Sequence, residues 1–134
     1  MLITSSDITV VHSPLRVHLG KNKYFILNQN AYRNAHFRVL AKAKVNYTQI
    51  MQRQIQSIGQ FQSIEVTYKI YHGSKRKFDL GNVMAVQSKF FLDALVHWGA
   101  IVDDTYEYVT KETVIFGGVD KDDPRVEITI KESE

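Results

Sequence analysis

The sequence predicts an α+β fold with a mixed or antiparallel sheet of about four to five strands, packed by two main helices. Residues 64–71 alternate between apolar and polar side chains, which is typical of a half-buried strand. Residues 82–98 place apolar side chains three and four positions apart, which is typical of a helix packed on a sheet. Strand-like segments stand at both ends of the chain, so strands and helices do not alternate regularly. That order favours α+β over a parallel α/β sheet.

The first half of the chain is predicted to hold two short strands and one long helix. Residues 8–11 and 15–19 have the composition of strands, and residues 21–30 follow as a polar loop. From 31 to 58 the pattern becomes helical, and Gly59 is placed to end the helix. The predicted apolar face of this helix comprises Phe37, Leu40, Ala41, Val45, Ile50, Met51, Ile55 and Ile58.

The second half is predicted to hold three strands and one buried helix. The strand at 64–71 leads into a basic segment and then into the helix at 82–98, which Gly99 ends. Residues 105–116 and 125–130 are predicted as two further strands, joined through two glycines and a polar turn. The predicted core face of the helix comprises Val83, Met84, Val86, Phe90, Phe91, Ala94, Leu95 and Trp98.

Length and composition favour one domain over residues 1–134, because the chain is long enough for one core and short for two. It has no cysteine, which excludes disulfides, a thiolate nucleophile and a cysteine zinc site. No apolar run approaches the roughly 18 residues that span a bilayer, and residues 1–7 lack a secretory pattern. We therefore expect a cytoplasmic protein without a membrane partner.

Charge is divided unevenly along the chain. Between Ile8 and Ile64 there are eight Lys and Arg residues and no Asp or Glu, although the whole chain carries a net charge of only +3. An unbalanced cationic surface of this kind favours a polyanionic partner, most commonly nucleic acid. The alternative is that these cations are simply solvated, and an anionic membrane surface is a weaker third possibility.

The basic cluster Lys75-Arg76-Lys77 directly precedes Asp79 at the start of the second helix, and the acidic pair Asp103-Asp104 follows that helix. Cations hold a phosphate backbone, and carboxylates hold a divalent metal against it. This combination points to a metal-dependent nuclease. The candidate DNA contacts are Lys75, Arg76, Lys77, Arg33, Arg38 and Lys42.

The same residues carry a resemblance to a known family. The run Asp79-Leu80-Gly81-Asn82, then Lys89 and Asp93-Ala94-Leu95, then Gly99 and Asp103-Asp104, resembles the active-site signature of the RusA family of Holliday junction resolvases. That family has Asp-Leu-Asp-Asn, a helix with Lys and Asp-Ala-Leu, a Gly, and an Asp-Asp pair. The specific part of the likeness lies within residues 75–106.

The resemblance implies a small homodimer, often encoded by phages and prophages, that cuts four-way or other branched DNA with Mg²⁺, with Mn²⁺ as a possible substitute. No organic cofactor is implied. By the same resemblance, Asp79 and Asp104 are metal-binding catalytic residues and Lys89 is a catalytic lysine. The implied metal ligands are Asp79, Asp104, Asp103 and Asn82.

The chain departs from the family pattern at two positions. Gly81 stands where the family has its second Asp, so Asn82 or a water molecule would have to supply that oxygen. Lys89 lies seven residues after Asn82, where the family usually has three, and this adds about one helical turn. These departures keep open a second function, a junction-binding protein of the same fold that cuts weakly or not at all.

Simpler explanations exist for the same residues. Asp79, taken alone, is more simply explained as a helix N-cap, Asp103-Asp104 as a solvated turn, and Lys89 with Asp93 as a surface ion pair. An RNA-binding accessory domain would explain the cationic first half. A helix of this length also separates Asp79 from Asp104 by on the order of 25 Å. Either the strand after Asp104 folds back, or a second subunit completes the site.

Overall fold

A computed structural model describes residues 8–134 of the chain, so the expectation for residues 1–7 lies outside the described part. Within that range, no helix is both long and apolar enough to cross a lipid bilayer. The strands and helices, in chain order, are β1 (Thr9–Ser13), β2 (Arg16–Gly20), β3 (Lys23–Ile26), α1 (Gln29–Asn34), α2 (Phe37–Ser57), β4 (Ile64–His72), α3 (Leu80–His97), β5 (Val109–Val119) and β6 (Arg125–Glu132).

Four strands form one sheet in the order β1, β6, β4, β5, and β2 pairs with β3 in a separate hairpin. β6 runs antiparallel to both β1 and β4, whereas β4 and β5 run parallel. α3 connects the parallel pair, because a parallel crossover needs a long connection. The mixed sheet and its two long helices, α2 and α3, confirm the predicted α+β class.

The alternation of β4 is observed as predicted. Ile64, Val66, Tyr68 and Ile70 are fully buried, while the residues between them are half-buried on the opposite face. β6 follows the same pattern. One face of the sheet is therefore apolar and forms the core together with α2 and α3.

The core face of α2 agrees with the prediction only in part, because Met51 and Ile55 are buried as predicted and other residues of the predicted face are not. The buried residues are Ala43, Tyr47, Met51 and Ile55, spaced four apart. Phe37, Val45 and Ile50, which were assigned to the apolar face, are 70%, 56% and 51% exposed. The helix carries two apolar stripes, and only the stripe through Tyr47 meets α3 and the sheet. In α3 the predicted residues are buried or half-buried, with Gln87 added to the buried set.

Gln87 belongs to a polar chain inside the core. Ser13 Oγ donates to Gln87 Oε1 at 2.7 Å, and Gln87 Nε2 donates to the Pro14 carbonyl at 2.8 Å. The Tyr47 hydroxyl lies 2.7 Å from Ser13 Oγ and must donate, because the single serine proton is already used. These bonds connect β1, α2 and α3, and burial raises the pKa of Tyr47, so its phenol stays protonated.

Three element boundaries differ from the prediction. The helix expected over 31–58 is broken, because Ala35 and His36 both have extended backbone and His36 caps α2. The apolar run inside the predicted loop at 21–30 forms β3, which pairs with β2. The strand expected at 105–116 begins at Val109 and continues through Gly117 and Gly118 to Val119, with a bulge opposite Tyr71.

Candidate functional site

Asp79 caps the N-terminus of α3. Its backbone is extended, and Asp79 Oδ1 accepts a hydrogen bond from the Gly81 N–H at 2.9 Å, as an N-cap does. The capping interpretation is thus confirmed. Asp79 remains exposed, and a carboxylate has a second oxygen that this bond does not use. The positive end of the α3 dipole stabilises the negative charge at this place.

The two neighbours of the cap differ in what they can offer a metal. Asn82 Oδ1 already accepts a hydrogen bond from the Gln29 N–H at 2.7 Å, which ties α1 to α3. Gly81 offers no side chain, yet there is room for one. A Cβ built there would meet only Asp79 Oδ1, at 3.4 Å, an ordinary van der Waals distance.

The basic cluster, residues 75–77, is exposed in the loop just before Asp79. It lines a cavity of about 410 Å³ whose floor includes Phe78 and Phe116, with ring centroids 6.0 Å apart. His72 stacks on Phe78 at 4.4 Å and holds the loop against the end of β4. Three cations and one carboxylate thus surround the same end of α3, where the sequence placed them.

Asp103 and Asp104 lie in the loop that returns from α3 to β5. Asp103 Oδ1 accepts from the Asp104 N–H at 2.8 Å, so this carboxylate shapes the turn as the simpler explanation required. The loop is fixed at both sides by backbone bonds, from Phe61 N–H to the Ala100 carbonyl and from Ile64 N–H to the Tyr108 carbonyl. Asp104 itself is exposed.

Within one subunit, Asp79 and Asp104 lie near opposite ends of α3. α3 has 18 residues, so its ends are about 27 Å apart. The strand after Asp104 does not return the acidic pair to Asp79, because Val109 pairs with Ile64 at the start of β4. Asp79 instead lies beyond the other end of β4. The alternative in which the strand after Asp104 folds back to Asp79 within one chain is therefore wrong.

Lys89 lies between these ends. It is exposed on α3, with Nζ 5.5 Å from the centre of the Tyr32 ring. Ten residues separate it from Asp79, about 15 Å along the axis, so one chain does not bring Lys89 to Asp79. The ion pair proposed between Lys89 and Asp93 is replaced by a pair from Lys44 of α2 to Asp93 at 3.7 Å. The catalytic role of Lys89 stays a prediction.

The other predicted DNA contacts lie on α1 and α2. Arg33 is exposed in the last turn of α1, and Arg38 and Lys42 are exposed in the first part of α2. A methyl group built on Gly20 would lie 3.8 Å from Lys42 Nζ, so Lys42 is next to the turn of the β2–β3 hairpin. Lys44 faces α3 instead, as its bond to Asp93 requires.

The hairpin adds a cationic and aromatic groove that the sequence reading missed. Arg16 lies over the Tyr24 ring at 3.9 Å, and His18 contacts the same ring edge-on at 5.1 Å. A cavity of about 560 Å³ separates these side chains from the loop at His72 and Ser74, which leads into the basic cluster. The apolar run of residues 24–27 was the available signal for the strand that presents Tyr24.

A second polar cluster lies on the helix side of the sheet. The Tyr68 hydroxyl and Ser88 Oγ both donate to Glu112 Oε2, at 2.6 and 2.7 Å. Burial raises the pKa of Tyr68 well above its usual value, and the charge of Glu112 raises it further. Glu112 therefore joins β4, α3 and β5 by hydrogen bonds to neutral donors, which is a structural arrangement.

The electrostatics of the β5–β6 turn are also structural. Arg125 Nη1 bonds Asp120 at 2.8 Å and Nη2 bonds Glu127 at 2.8 Å, while the guanidinium lies over the Tyr71 ring at 4.2 Å. The hydrogen bond from Arg125 lowers the pKa of Asp120. These acidic residues are thus bound to the arginine, at the polar turn that the sequence predicted between the last two strands.

Between residues 8 and 134, no group of three or more His, Asp or Glu side chains is close enough to hold a metal ion. A single chain does not bring Asp79 and Asp104 to one magnesium ion, because the 18 residues of α3 lie between them. No protein-family model matches the chain, and no curated protein matches its sequence. The likeness to the RusA family rests on the motif residues alone.

Proposed function

We propose that the chain is a magnesium-dependent endonuclease that resolves Holliday junctions and other branched DNA by paired phosphodiester cleavage, and that it acts as a homodimer. The observation that carries this proposal is the juxtaposition at the start of α3. The exposed basic cluster, residues 75–77, lies directly beside the exposed carboxylate of Asp79. A phosphate held by these cations would lie next to a carboxylate that can hold a metal.

Dimerisation follows from the separation of the two carboxylates. Both would have to lie within about 5 Å of each other to share one Mg²⁺, because its oxygen ligands lie at 2.0–2.1 Å. Asp79 and Asp104 of one chain are separated by the whole of α3. We therefore infer that each site uses Asp79 of one subunit and Asp104 of the other. Two equivalent sites suit a substrate with two equivalent strands.

A bound Mg²⁺ would activate water and offset the charge that develops on the phosphate. The residues of the chain have separate roles in this proposal. Lys75, Arg76 and Lys77 hold the backbone of the DNA without reading its sequence, because they contact phosphates. Asp79 and Asp104 bring negative charge to two ends of the subunit, where only a second copy can combine them.

The direct test is cleavage of a labelled immobile four-way junction, compared with linear duplex, in Mg²⁺ or EDTA. We expect paired nicks in the junction that require Mg²⁺ and disappear in Asp79→Asn and in Asp104→Asn. Asn is as good an N-cap as Asp, so Asp79→Asn removes the charge and keeps the helix start. Cutting that survives either substitution, or that proceeds in EDTA, would contradict the proposal.

A second candidate function is supported by Gly81 and Asn82. One carboxylate of the motif is absent, and the Asn82 oxygen is engaged by Gln29. These features favour a junction-binding protein that cuts weakly or not at all. Tight and selective binding of the junction without Mg²⁺-dependent nicks would support it.

The substitution Gly81→Asp separates the two candidates. The position is exposed, has room for a side chain, and lies in the first turn of α3, where Asp is favourable. If the site is a weakened nuclease site, the added carboxylate should raise Mg²⁺-dependent nicking of the junction. Gly81→Asn is the matched control without the charge. Equal, negligible nicking by both variants would favour the binding protein.

The DNA contacts have their own test, independent of cleavage. Alanine at Lys75, Arg76 and Lys77 should weaken junction binding and reduce the slope of log K against log salt by about 2–3. Lys121→Ala with Lys131→Ala, in the β5–β6 turn and on β6, is the control and should leave both unchanged. Competition by duplex RNA as strong as by junction DNA would instead support the RNA-binding alternative.

A further inference from the structure

We propose that two copies of the chain associate edge to edge through β5, with the two β5 strands antiparallel about a two-fold axis. In this arrangement Asp104 of each copy lies at the same end of the joined sheet as Asp79 of the other copy. The choice of edge rests on the proposed function, because it uses the shared site as a constraint. The exposed edge itself is observed in one chain.

β5 is an edge strand with little protection. It has 11 residues and pairs only with β4 within the described part of the chain. Most of its residues are exposed, and among them Ile115, Phe116 and Val119 are 41%, 53% and 43% exposed. Long edges with free N–H and C=O groups and apolar side chains pair readily with another strand. A second copy of β5 would pair with the free N–H and C=O groups and would cover the apolar side chains.

The side chains of β5 allow this pairing in one symmetric register. Opposed residues of an antiparallel pair share a face, so a two-fold axis through Val114 keeps both apolar faces on the same side. This register pairs the regular segment of β5 between its bulges at Thr110 and Gly117, and it places Thr113 opposite Ile115 of the other copy. Glu112 then lies opposite Phe116. No like charges are opposed, which would have been unfavourable.

Antiparallel pairing resolves the separation of the carboxylates. Asp104 lies five residues before Val109, at the beginning of β5. Asp79 lies at the other end, since the adjacent Phe78 packs on Phe116 near the end of β5. Pairing β5 with an antiparallel copy brings the beginning of one strand to the end of the other. Each end of the dimer then holds one Asp104 and one Asp79 from different subunits.

The other free edge does not achieve this. β1 has five residues and is separated from β5 by β6 and β4. With strands about 4.8 Å apart, an additional copy on β1 would lie roughly 15 Å farther from the strand that follows Asp104. Pairing through β1 leaves the sites incomplete. β5 is thus the proposed interface, and β1 is the matched control edge in the same molecule.

Cysteine cross-linking tests the interface directly, because the native chain contains no cysteine. Directly opposed Cα atoms in an antiparallel pair are 4.5–5.5 Å apart, which a disulfide can bridge. We expect Val114→Cys to form a disulfide-linked dimer under mild oxidation, seen on a non-reducing gel. Val10→Cys, half exposed on β1, is the control and should remain monomeric on the gel.

Thr113→Cys and Ile115→Cys complete the scan and report a shifted register. A cross-linking maximum at any of the three β5 positions supports the interface. Equal cross-linking at these positions and at Val10, or a maximum at Val10, overturns it. Cross-linking does not require cleavage, so a β5 dimer that fails to cut junctions refutes the nuclease proposal alone. Junction cutting without a β5 cross-link refutes the interface alone.

The substitution Ile115→Glu provides a second measurement without cysteine chemistry. It would place two carboxylates diagonally across the two-fold axis, while within its own subunit Glu faces Lys69 favourably. We expect the mass in sedimentation to change from dimer to monomer, with unchanged circular dichroism. Val10→Glu should remain dimeric. A dimer that persists in Ile115→Glu and is lost in Val10→Glu would overturn the interface.

Discussion

A mixed dimer of two inactive variants should recover activity if each site is shared. Asp79→Asn and Asp104→Asn, each alone, remove one carboxylate from both sites. When the two variants are coexpressed and form a heterodimer, one site loses both carboxylates and the other retains both. If each site belonged to one chain, both sites of the heterodimer would lack one carboxylate. The two arrangements therefore predict different results from identical protein mixtures.

The magnitude follows from the geometry and from counting. α3 has 18 residues and spans about 27 Å, which is several times the distance over which one Mg²⁺ joins two carboxylates. Asp79 and Asp104 of the same chain therefore cannot bind one Mg²⁺ together. Random assembly gives about half heterodimers, each with one intact site of two. Nicking should therefore reach about one quarter of the native rate, and nearly all products should be single nicks.

The assay is nicking of a four-way junction that carries a different label on each strand. The controls are the two pure variants and a mixture prepared without subunit exchange, which should remain inactive. An exchanged mixture as inactive as the pure variants, from proteins that still bind the junction, would refute the shared site. Paired cleavage restored to the native rate would also contradict the expectation of single nicks at about one quarter of that rate.

Three further predictions concern stability. Gln87→Leu should lower the free energy of unfolding by about 2–4 kcal/mol in urea titration, because it removes the acceptor for the buried Ser13 hydroxyl proton and the donor to the Pro14 carbonyl. Above pH 10, where exposed tyrosines ionise, stability should fall by up to about 2.7 kcal/mol per pH unit, because Tyr47 and Tyr68 keep their protons only while folded. Their absorbance change near 295 nm should coincide with alkaline unfolding, and earlier ionisation would contradict the burial argument. Gly117→Ala should cost about 1–2 kcal/mol, because its methyl group would lie 2.9 Å from Tyr71 Cζ and 3.0 Å from Lys69 Cγ, and a Tyr71→Ala background should remove only part of this cost.

Local patterns were sufficient for much of the fold. The alternation over β4 gave a half-buried strand, and the spacings over α3 gave a buried helix, because both periods follow from the backbone geometry of one element. The Asp79 cap was equally local, since an Asp accepts a bond from an N–H two residues away. The class of the fold followed from the order of such elements.

Tertiary packing decided what the periodicity left open. Two apolar stripes of α2 satisfy the helical spacing, and contact with α3 and the sheet selected Tyr47 over Val45 and Phe37. The short strand β3 was hidden in a loop because its stability comes from pairing with β2.

The candidate site divides in the same way. The sequence by itself determined which residues we propose for metal and phosphate binding, because residue type and the start of a helix are local properties. Only the tertiary structure decided that the chain after Asp104 does not fold back to Asp79, because that depends on β5 running parallel to β4. The direction of one strand, fixed by pairing over the length of the sheet, is what keeps the two carboxylates apart in a single chain.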